Sequence, residues 1–247
     1  MKTDSSNVRS ALIVPTYNEV ETLPIFLSGI VSHLQETTAI IISDDSDPSH
    51  SNEMQKIVQK FDQEYSVPIF LNSESTKNGR GNAVRRGMQY ALQEFVNIET
   101  ITECDVDGSH RIEDVVKVLY SDINTDLLIG SRYLSDSKIS GWPLQRRIFS
   151  RIINWIVPRF LHIKITDITN GLRKYSSQAA ELLVNSEQKN KGFIYLSEQA
   201  LTINSSKMSI QEIPIHFVDR TVGESTVTYQ EVKMSIIGIL KLLKNNA

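Results

Sequence analysis

Two carboxylates two residues apart, in the run Asp105-Val106-Asp107, are the side chains of this chain best suited to hold a metal ion. In extended backbone, residues two apart face the same side, so both can address one hard cation, Mg2+ or Mn2+. Such an ion keeps open positions for diphosphate oxygens and neutralises charge building on a leaving group. A D-x-D run also arises by chance, so its setting matters. It follows an apparent strand and is the third loop of its kind. The first, Pro15-Thr16-Tyr17-Asn18-Glu19, follows Ala-Leu-Ile-Val; the second, Asp44-Asp45-Ser46-Asp47-Pro48, follows Ile-Ile-Ile-Ser. Each has a plainer reading as well. Thr16 and Glu19 have the spacing of a helix capping box, and acidic residues in turns are ordinary solvated turn formers.

Bringing these loops together requires a parallel sheet. Short β-rich runs at 11–14, 39–43, 68–71, 100–104 and 127–129 alternate with helical patterns that include 23–34, 82–95 and 112–120, the signature of strands joined by crossover helices. In open α/β sheets, ligands bind beyond the carboxyl ends of the strands, where all three loops fall. Between the second and third loops, Lys77-Asn78-Gly79-Arg80-Gly81-Asn82-Ala83 leads into a helix. It lacks the Lys-Ser/Thr ending of a P-loop and the full dinucleotide-binding glycine pattern, which argues against a nucleotide hydrolase or a dehydrogenase.

Composition bounds the rest. The chain has 247 residues, 40% of them hydrophobic, and a formal charge of -3. That suits one α/β domain over 1–247, with a nucleotide-binding half at about 8–133 and an appended half at about 134–247. The acidic balance argues against nucleic acid as a partner. One cysteine, Cys104, excludes an internal disulfide and points to a reducing cytoplasm. The N-terminal run has no signal-peptide character, and no stretch reaches the roughly 18 apolar residues of a spanning helix. Any membrane contact is therefore expected at the surface.

Taken in order and spacing, these motifs resemble the inverting family 2 glycosyltransferases of GT-A fold, nearest the dolichol-phosphate (polyprenyl-phosphate) mannose synthase branch. The resemblance extends through Ile129-Gly130-Ser131-Arg132-Tyr133, Gly141-Trp142 with Arg146-Arg147 and Ser150, Asp167-x-Thr169-Asn170-Gly171-Leu172-Arg173, and Glu212-Ile213-Pro214-Ile215 with Asp219-Arg220 and Gly223. It implies a mostly parallel GT-A sheet with flanking helices and amphipathic helices on the acceptor side. It also implies that Pro15, Tyr17, Glu19, Asp44, Asp105 and Arg220 bind the nucleotide sugar, and that Asp105 and Asp107 position Mg2+ or Mn2+ with Ser109 or His110 nearby. Arg132 and Arg220 then face phosphate. Ser43 stands where the family pattern has an acidic residue, which leaves Asp44 and Asp45 both open as the carboxylate for the base. His110 also reads as a helix-start residue, and a lone arginine as a surface ion pair.

The acceptor side has support of its own. Residues 138–164 carry six Lys or Arg and no acidic residue, interleaved with Trp142, Ile148, Phe149, Ile152, Ile153, Trp155, Ile156 and Phe160. This pattern suits an anionic lipid surface or a lipid phosphate, and equally a helix packed on the sheet with arginine stems reaching outward. Residues 232–244 read as a second amphipathic helix, for packing or for lipid.

The reaction implied is transfer of a hexose, from GDP-mannose or UDP-glucose, to a polyprenyl phosphate by direct displacement with inversion, on the cytoplasmic face of a membrane. Asp105, Asp107 and Arg132 would carry the chemistry, and Arg146, Arg147 and Ser150 would hold the acceptor phosphate. A phosphate monoester needs no protein base, whereas a sugar hydroxyl needs one; Asp167 is the candidate, or else it caps or cross-links the loop around Arg173. Gly223-Glu224-Ser225-Thr226, where the branch commonly has Gly-x-Ser-Lys, keeps a saccharide acceptor open. A nucleotide-sugar-binding regulator without catalysis would carry the same nucleotide-binding loops, and so would a nucleotidyltransferase.

Overall fold

The computed structural model describes residues 5–74, 76–188 and 194–219. In chain order the elements are β1 (Ser10–Thr16), α1 (Thr22–Ile30), β2 (Thr38–Asp44), α2 (Pro48–Glu64), β3 (Ile69–Ser73) and α3 (Arg80–Glu94). There follow β4 (Thr100–Glu103), α4 (Ile112–Leu119), β5 (Leu127–Ser131), β6 (Lys138–Ser140) and α5 (Leu144–Phe160). The last are β7 (Arg173–Ser176), α6 (Ser177–Asn185), α7 (Tyr195–Ser205), β8 (Ile210–Pro214) and β9 (His216–Val218).

Seven strands form one sheet in the order β3-β2-β1-β4-β7-β5-β8, and β6 pairs with β9. Every pairing in the large sheet is parallel except those of β7, which runs antiparallel to both β4 and β5. The apolar runs of β1 and β2 explain why the sheet is covered on both faces, since a strand buried on both sides needs no polar alternation. Ala11, Ile13, Ala39 and Ile41 pack into one core with Val84, Met88 and Ala91 of α3 and Ala179, Ala180 and Leu183 of α6. Leu12, Val14, Ile40 and Ile42 face the other core, against α1, α2 and α4. The five sequence-read strands are all present, each differing by one or two residues at one or both ends. The helix expected over 23–34 ends at Ile30 and closes in a tight turn over Val31–His33, because Leu34 must turn extended to feed β2.

Register places the chemistry. Thr16 pairs with Asp44 and Ile13 with Glu103, so the loops after β1, β2 and β4 leave one edge of the sheet together. Antiparallel β7 brings its beginning, Arg173, beside Glu103 and Ile129, which carries the segment before it to the same edge. Residues 220–247, with Arg220, Gly223 and the helix expected over 232–244, lie outside the described residues.

α3 seats on β1 through Gly87, where an added Cβ would stand 2.7 Å from Ile13 Cγ2. Gly87→Ala should therefore destabilise the protein by about 1–3 kcal/mol, because overpacking against a buried strand outweighs the gain of about 1 kcal/mol in helix propensity. Urea unfolding of the two proteins measures the difference.

Candidate functional site

The first two loops are laced to each other. Thr16 donates from its hydroxyl to Asp44 Oδ1 at 2.7 Å, and Ser46 adds a second bond at 2.5 Å. The capping box does not form, since Thr16 is spent on Asp44, while Glu19 accepts from the Thr22 hydroxyl at the start of α1. Asn18, held at φ 58°, and Tyr17 both donate to Asp47 Oδ2, at 2.8 and 3.1 Å. The Lys77 ammonium lies 3.7 Å from the Tyr17 ring. Asp47 is held below its ordinary pKa by the Asn18 bond first and the Tyr17 bond second.

Asp44 and Asp45 are distinguished by their partners. Asp45 takes Arg86 Nη1 on Oδ1 at 2.8 Å and the Asn78 amide on Oδ2 at 3.0 Å. Asp44 is buried as well, yet its Oδ2 has no hydrogen-bond partner among the described residues. A buried carboxylate oxygen without a donor is costly, and a ligand N–H or O–H would satisfy it.

Asp105 and Asp107 are half-buried just beyond the end of β4, while Val106 between them packs into the core. Arg80 of α3 donates from Nε to Asp105 Oδ1 at 2.7 Å, from Nη1 to Glu103 at 2.7 Å and from Nη2 to the Gly171 carbonyl at 3.2 Å. Burial opposes the Arg80 charge, but the Asp105 and Glu103 carboxylates outweigh it and raise its pKa. Glu103 is fully buried and also accepts from Tyr175 at 2.6 Å and Tyr195 at 2.7 Å. Its own pKa is raised, by burial first, against the pull of Arg80. Asp107 Oδ1 caps the Ser109 amide at 3.0 Å in a turn that Gly108 closes at φ 75°. His110 is not a helix-start residue. Its buried ring accepts from the Asp105 amide at 3.3 Å and lies 3.0 Å from the Asn170 side-chain oxygen, so it braces the D-x-D loop from beneath.

Two carboxylates suit a hard divalent cation in donor type, and each already gives one oxygen to the protein. No cluster of three metal-ligating side chains occurs among the described residues. Mg2+ or Mn2+ held by Asp105 and Asp107 would thus need further oxygens from a diphosphate or water.

Arg132 follows β5 and is committed to Asp167. Its Nε and backbone amide reach Asp167 Oδ2 at 2.7 and 3.0 Å, its Nη2 reaches Oδ1 at 2.8 Å, and Nη2 also meets Thr169 at 2.7 Å. Asp167 thus caps and cross-links the loop that leads to Arg173, taking the Thr169 amide on Oδ1 at 3.2 Å and tying the loop to Arg132 rather than to the Arg173 side chain. Arg173 is fully buried and satisfied instead by the carbonyls of Asn170, Leu196 and Ile168. With both Asp167 oxygens held, that carboxylate is poorly placed to take a proton from an acceptor hydroxyl. On the acceptor side, Arg146 donates to Asp219 at 3.0 Å, Arg147 bonds the Ile139 carbonyl, and Ser150 accepts from Tyr133 at 2.6 Å. Arg146 and Arg147 are therefore parted, as neighbours on a helix must be.

Arg80, Glu103 and Arg86 went unassigned from sequence. The available signal was the arginine inside the glycine loop and a glutamate in a strand that ought to be buried.

Breaking the buried Arg132–Asp167 pair has a calculable sign. Burial raises the Asp167 pKa, but Arg132 outweighs it and leaves the group below 3.8. Its contribution is thus present above the ordinary carboxylate range and lost as pH falls below about 3.8. Asp167→Ala should cost about 3–5 kcal/mol at pH 7, a gap to wild type that narrows in acid, as denaturant unfolding at a series of pH values would measure.

The chain is similar in sequence to the polyprenol monophosphomannose synthase of Mycolicibacterium smegmatis, 28% identical over 232 residues, 94% of this chain and 85% of that protein. It is likewise similar to the undecaprenyl-phosphate mannosyltransferase of Micrococcus luteus, 28% identical over 238 residues, 95% of this chain and 93% of that one. Among solved structures, glucosyl-3-phosphoglycerate synthase from Mycobacterium tuberculosis, with Mn2+, UDP and its product, superposes at TM-score 0.61 with 13% identity, over 96% of this chain and 80% of that chain. A mannosyltransferase from Pyrobaculum calidifontis, with GDP-Man and Mn2+, superposes at 0.60 with 12% identity, over 100% and 67%. These likenesses bear out the GT-A fold. The family model for glycosyl transferase family 2 matches residues 11–182, well over half of the chain, and the protein belongs to that family.

Proposed function

We propose that this protein transfers a hexose from a nucleotide diphosphate-sugar to a polyprenyl phosphate with inversion, mannose from GDP-mannose being favoured over glucose from UDP-glucose. The observation that carries the reading is one sheet edge on which Asp44 offers a buried oxygen without a hydrogen-bond partner among the described residues, and Asp105 and Asp107 stand half-buried beyond the end of β4. The mannosyltransferase names of the two sequence relatives support the sugar and the lipid acceptor.

On this reading Asp44 accepts a hydrogen bond from the donor's base or ribose, with Pro15, Tyr17 and Glu19 around it. Arg220 remains assigned to donor phosphate by resemblance alone. Mg2+ or Mn2+ held by Asp105 and Asp107 would supply charge for the departing nucleoside diphosphate. Arg80 keeps Asp105 oriented for that task. An acceptor phosphate oxygen attacks the anomeric carbon, the carbon–oxygen bond to the diphosphate breaks, and the nucleoside diphosphate leaves with the bonding electrons. A phosphate monoester, with a second pKa of about 6, is already largely dianionic at neutral pH. That Asp167 is clamped by Arg132 supports an acceptor that needs no protein base.

α5 supports a site at a membrane surface. It buries Asn154, Val157 and Pro158 but leaves Leu144, Ile148, Phe149, Ile152, Trp155 and Phe160 between 44% and 71% exposed, with Arg147, Arg151 and Arg159 exposed among them. An apolar face with interspersed arginines suits the headgroup region of anionic lipid. No helix of the described residues is long and apolar enough to cross a membrane. We place the protein on the cytoplasmic face, where nucleotide sugars are supplied.

Turnover of GDP- and UDP-sugars with Mn2+ or Mg2+, with and without a short polyprenyl phosphate in detergent, tests the whole reading. Metal-dependent, lipid-stimulated release of one nucleotide is expected, and Asp107→Asn should lower it by at least 100-fold, on the order of the loss of one transition-state charge contact. Transfer to saccharides without lipid stimulation would assign a hydroxyl acceptor instead. In calorimetric titration, Asp44→Asn should weaken nucleotide binding about tenfold with little loss of stability, whereas Asp45→Asn should lower stability because it breaks the Arg86 pair.

A further inference from the structure

Trp142 is 8% exposed, and its indole Nε1 has no hydrogen-bond partner among the described residues. Two guanidinium groups flank it, each also paired with a carboxylate, Arg132 with Asp167 and Arg146 with Asp219. The Arg146 guanidinium carbon lies 4.2 Å from the indole ring centroid and that of Arg132 lies 5.2 Å from it, while Phe217 closes a third side edge-on at 5.2 Å. Gly141, at φ +82°, sets the backbone just before the indole. An added Cβ there would stand 2.8 Å from Asp219 Cβ, so the missing side chain lets Asp219 close over the turn and hold Arg146 at 3.0 Å. Arg146 and Ser150 share one helix face by their spacing of four, and Ser150 bonds Tyr133, the neighbour of Arg132. The indole thus sits between two arginines that come from opposite sides of the site.

A buried donor with no acceptor loses its water and gains nothing, unless a ligand brings the acceptor. An acceptor entering beside two guanidinia is favoured when it is an anion, and a phosphate monoester carries about -1.5 to -2 charges at pH 7. We propose that the Trp142 indole N–H donates a hydrogen bond to the phosphate of the acceptor, which Arg132 and Arg146 flank. Trp142 is then an acceptor-binding residue, and Arg132 faces the acceptor phosphate as well as the donor side. This inference rests on the reading of the acceptor as a lipid phosphate.

Trp142→Phe keeps an aromatic ring between the arginines and removes the N–H together with the volume of the five-membered ring. The KM for a short polyprenyl phosphate should rise about tenfold, the loss of one hydrogen bond to a charged group, while the donor KM stays within twofold. A lower Tm from the lost ring volume is expected on either reading, so the split between the two KM values decides; a purely structural tryptophan would change both in parallel. An unchanged acceptor KM overturns the inference and leaves the proposed function standing.

A second measurement uses the full chain with 15N-labelled indoles. The protein has two tryptophans, and Trp155→Phe identifies the Trp142 signal. That signal should move downfield with polyprenyl phosphate and stay in place with the uncharged polyprenol. A shift with nucleoside diphosphate and Mg2+ but not with the lipid phosphate assigns the N–H to the donor and overturns the inference. A wild-type protein whose turnover shows no saturable response to polyprenyl phosphate overturns the acceptor reading itself, and the inference with it.

Discussion

The site depends on guanidinium groups delivered by one helix to two acidic loops. Asp44, Asp45, Glu103, Asp105 and Asp107 all lie at the carboxyl edge of neighbouring strands, where two carboxylates about 4 Å apart repel by about 4 kcal/mol at an effective dielectric near 20. α3 answers this twice. Near its start Arg80 bridges Glu103 and Asp105, and further along Arg86 bonds Asp45 and the carbonyls of Asp44 and Asn72. The arginines leave unequal acidic groups behind them: Asp45 is consumed, Asp105 is oriented, and Asp44 keeps an oxygen with no partner. Function is read from that inequality.

α3 can do this only because backbones come very close around it. A Cβ on Gly81 would stand 2.7 Å from the Tyr195 ring, and one on Gly171 would stand 2.6 Å from Arg80 Nη2. Tyr195 and Gly171 are the same groups that hold Glu103 and Arg80, so the glycines of two distant motifs serve one network. A glycine loop that resembles a phosphate cradle is thus, in this chain, also the seat of an arginine.

The first five strands were legible because a parallel sheet buried on both faces needs continuous apolar runs, as in Ile40, Ile41 and Ile42. β7 was not legible, since Arg173-Lys174-Tyr175-Ser176 has no such run. It is held by its ladder to β4 and β5, by three carbonyls around Arg173 and by the Tyr175 bond to Glu103. The D-x-D pair could be read from local spacing. The partners of Arg80 and Arg132 could not, because the chain separations of 23 to 35 residues that join them to carboxylates leave no local pattern. Motif resemblance singles out Arg132 and Asp167 but does not show that they are partners.

The antiparallel strand also explains how a protein of net charge -3 can keep a basic face. Because β7 returns the chain to the carboxyl edge, the segment from Asp167 to Leu172 meets Arg132 and Arg80 there, and the acidic groups of the edge are matched internally. The arginines exposed on α5 are left to act outward: Arg159 lies against Trp155 at 4.6 Å, and Arg151 lies near Tyr133 at 5.8 Å. Among the described residues, charge that is neutralised inside and exposed on one helix face gives a polarity, with a cationic, apolar side of the character that an anionic lipid surface favours. Arg146, one residue before exposed Arg147 and turned instead toward Trp142 and Asp219, marks where that face passes into the site. A substrate with an apolar tail and a phosphate head has the same polarity, and this matching argues more strongly for a lipid phosphate acceptor than any one side chain does.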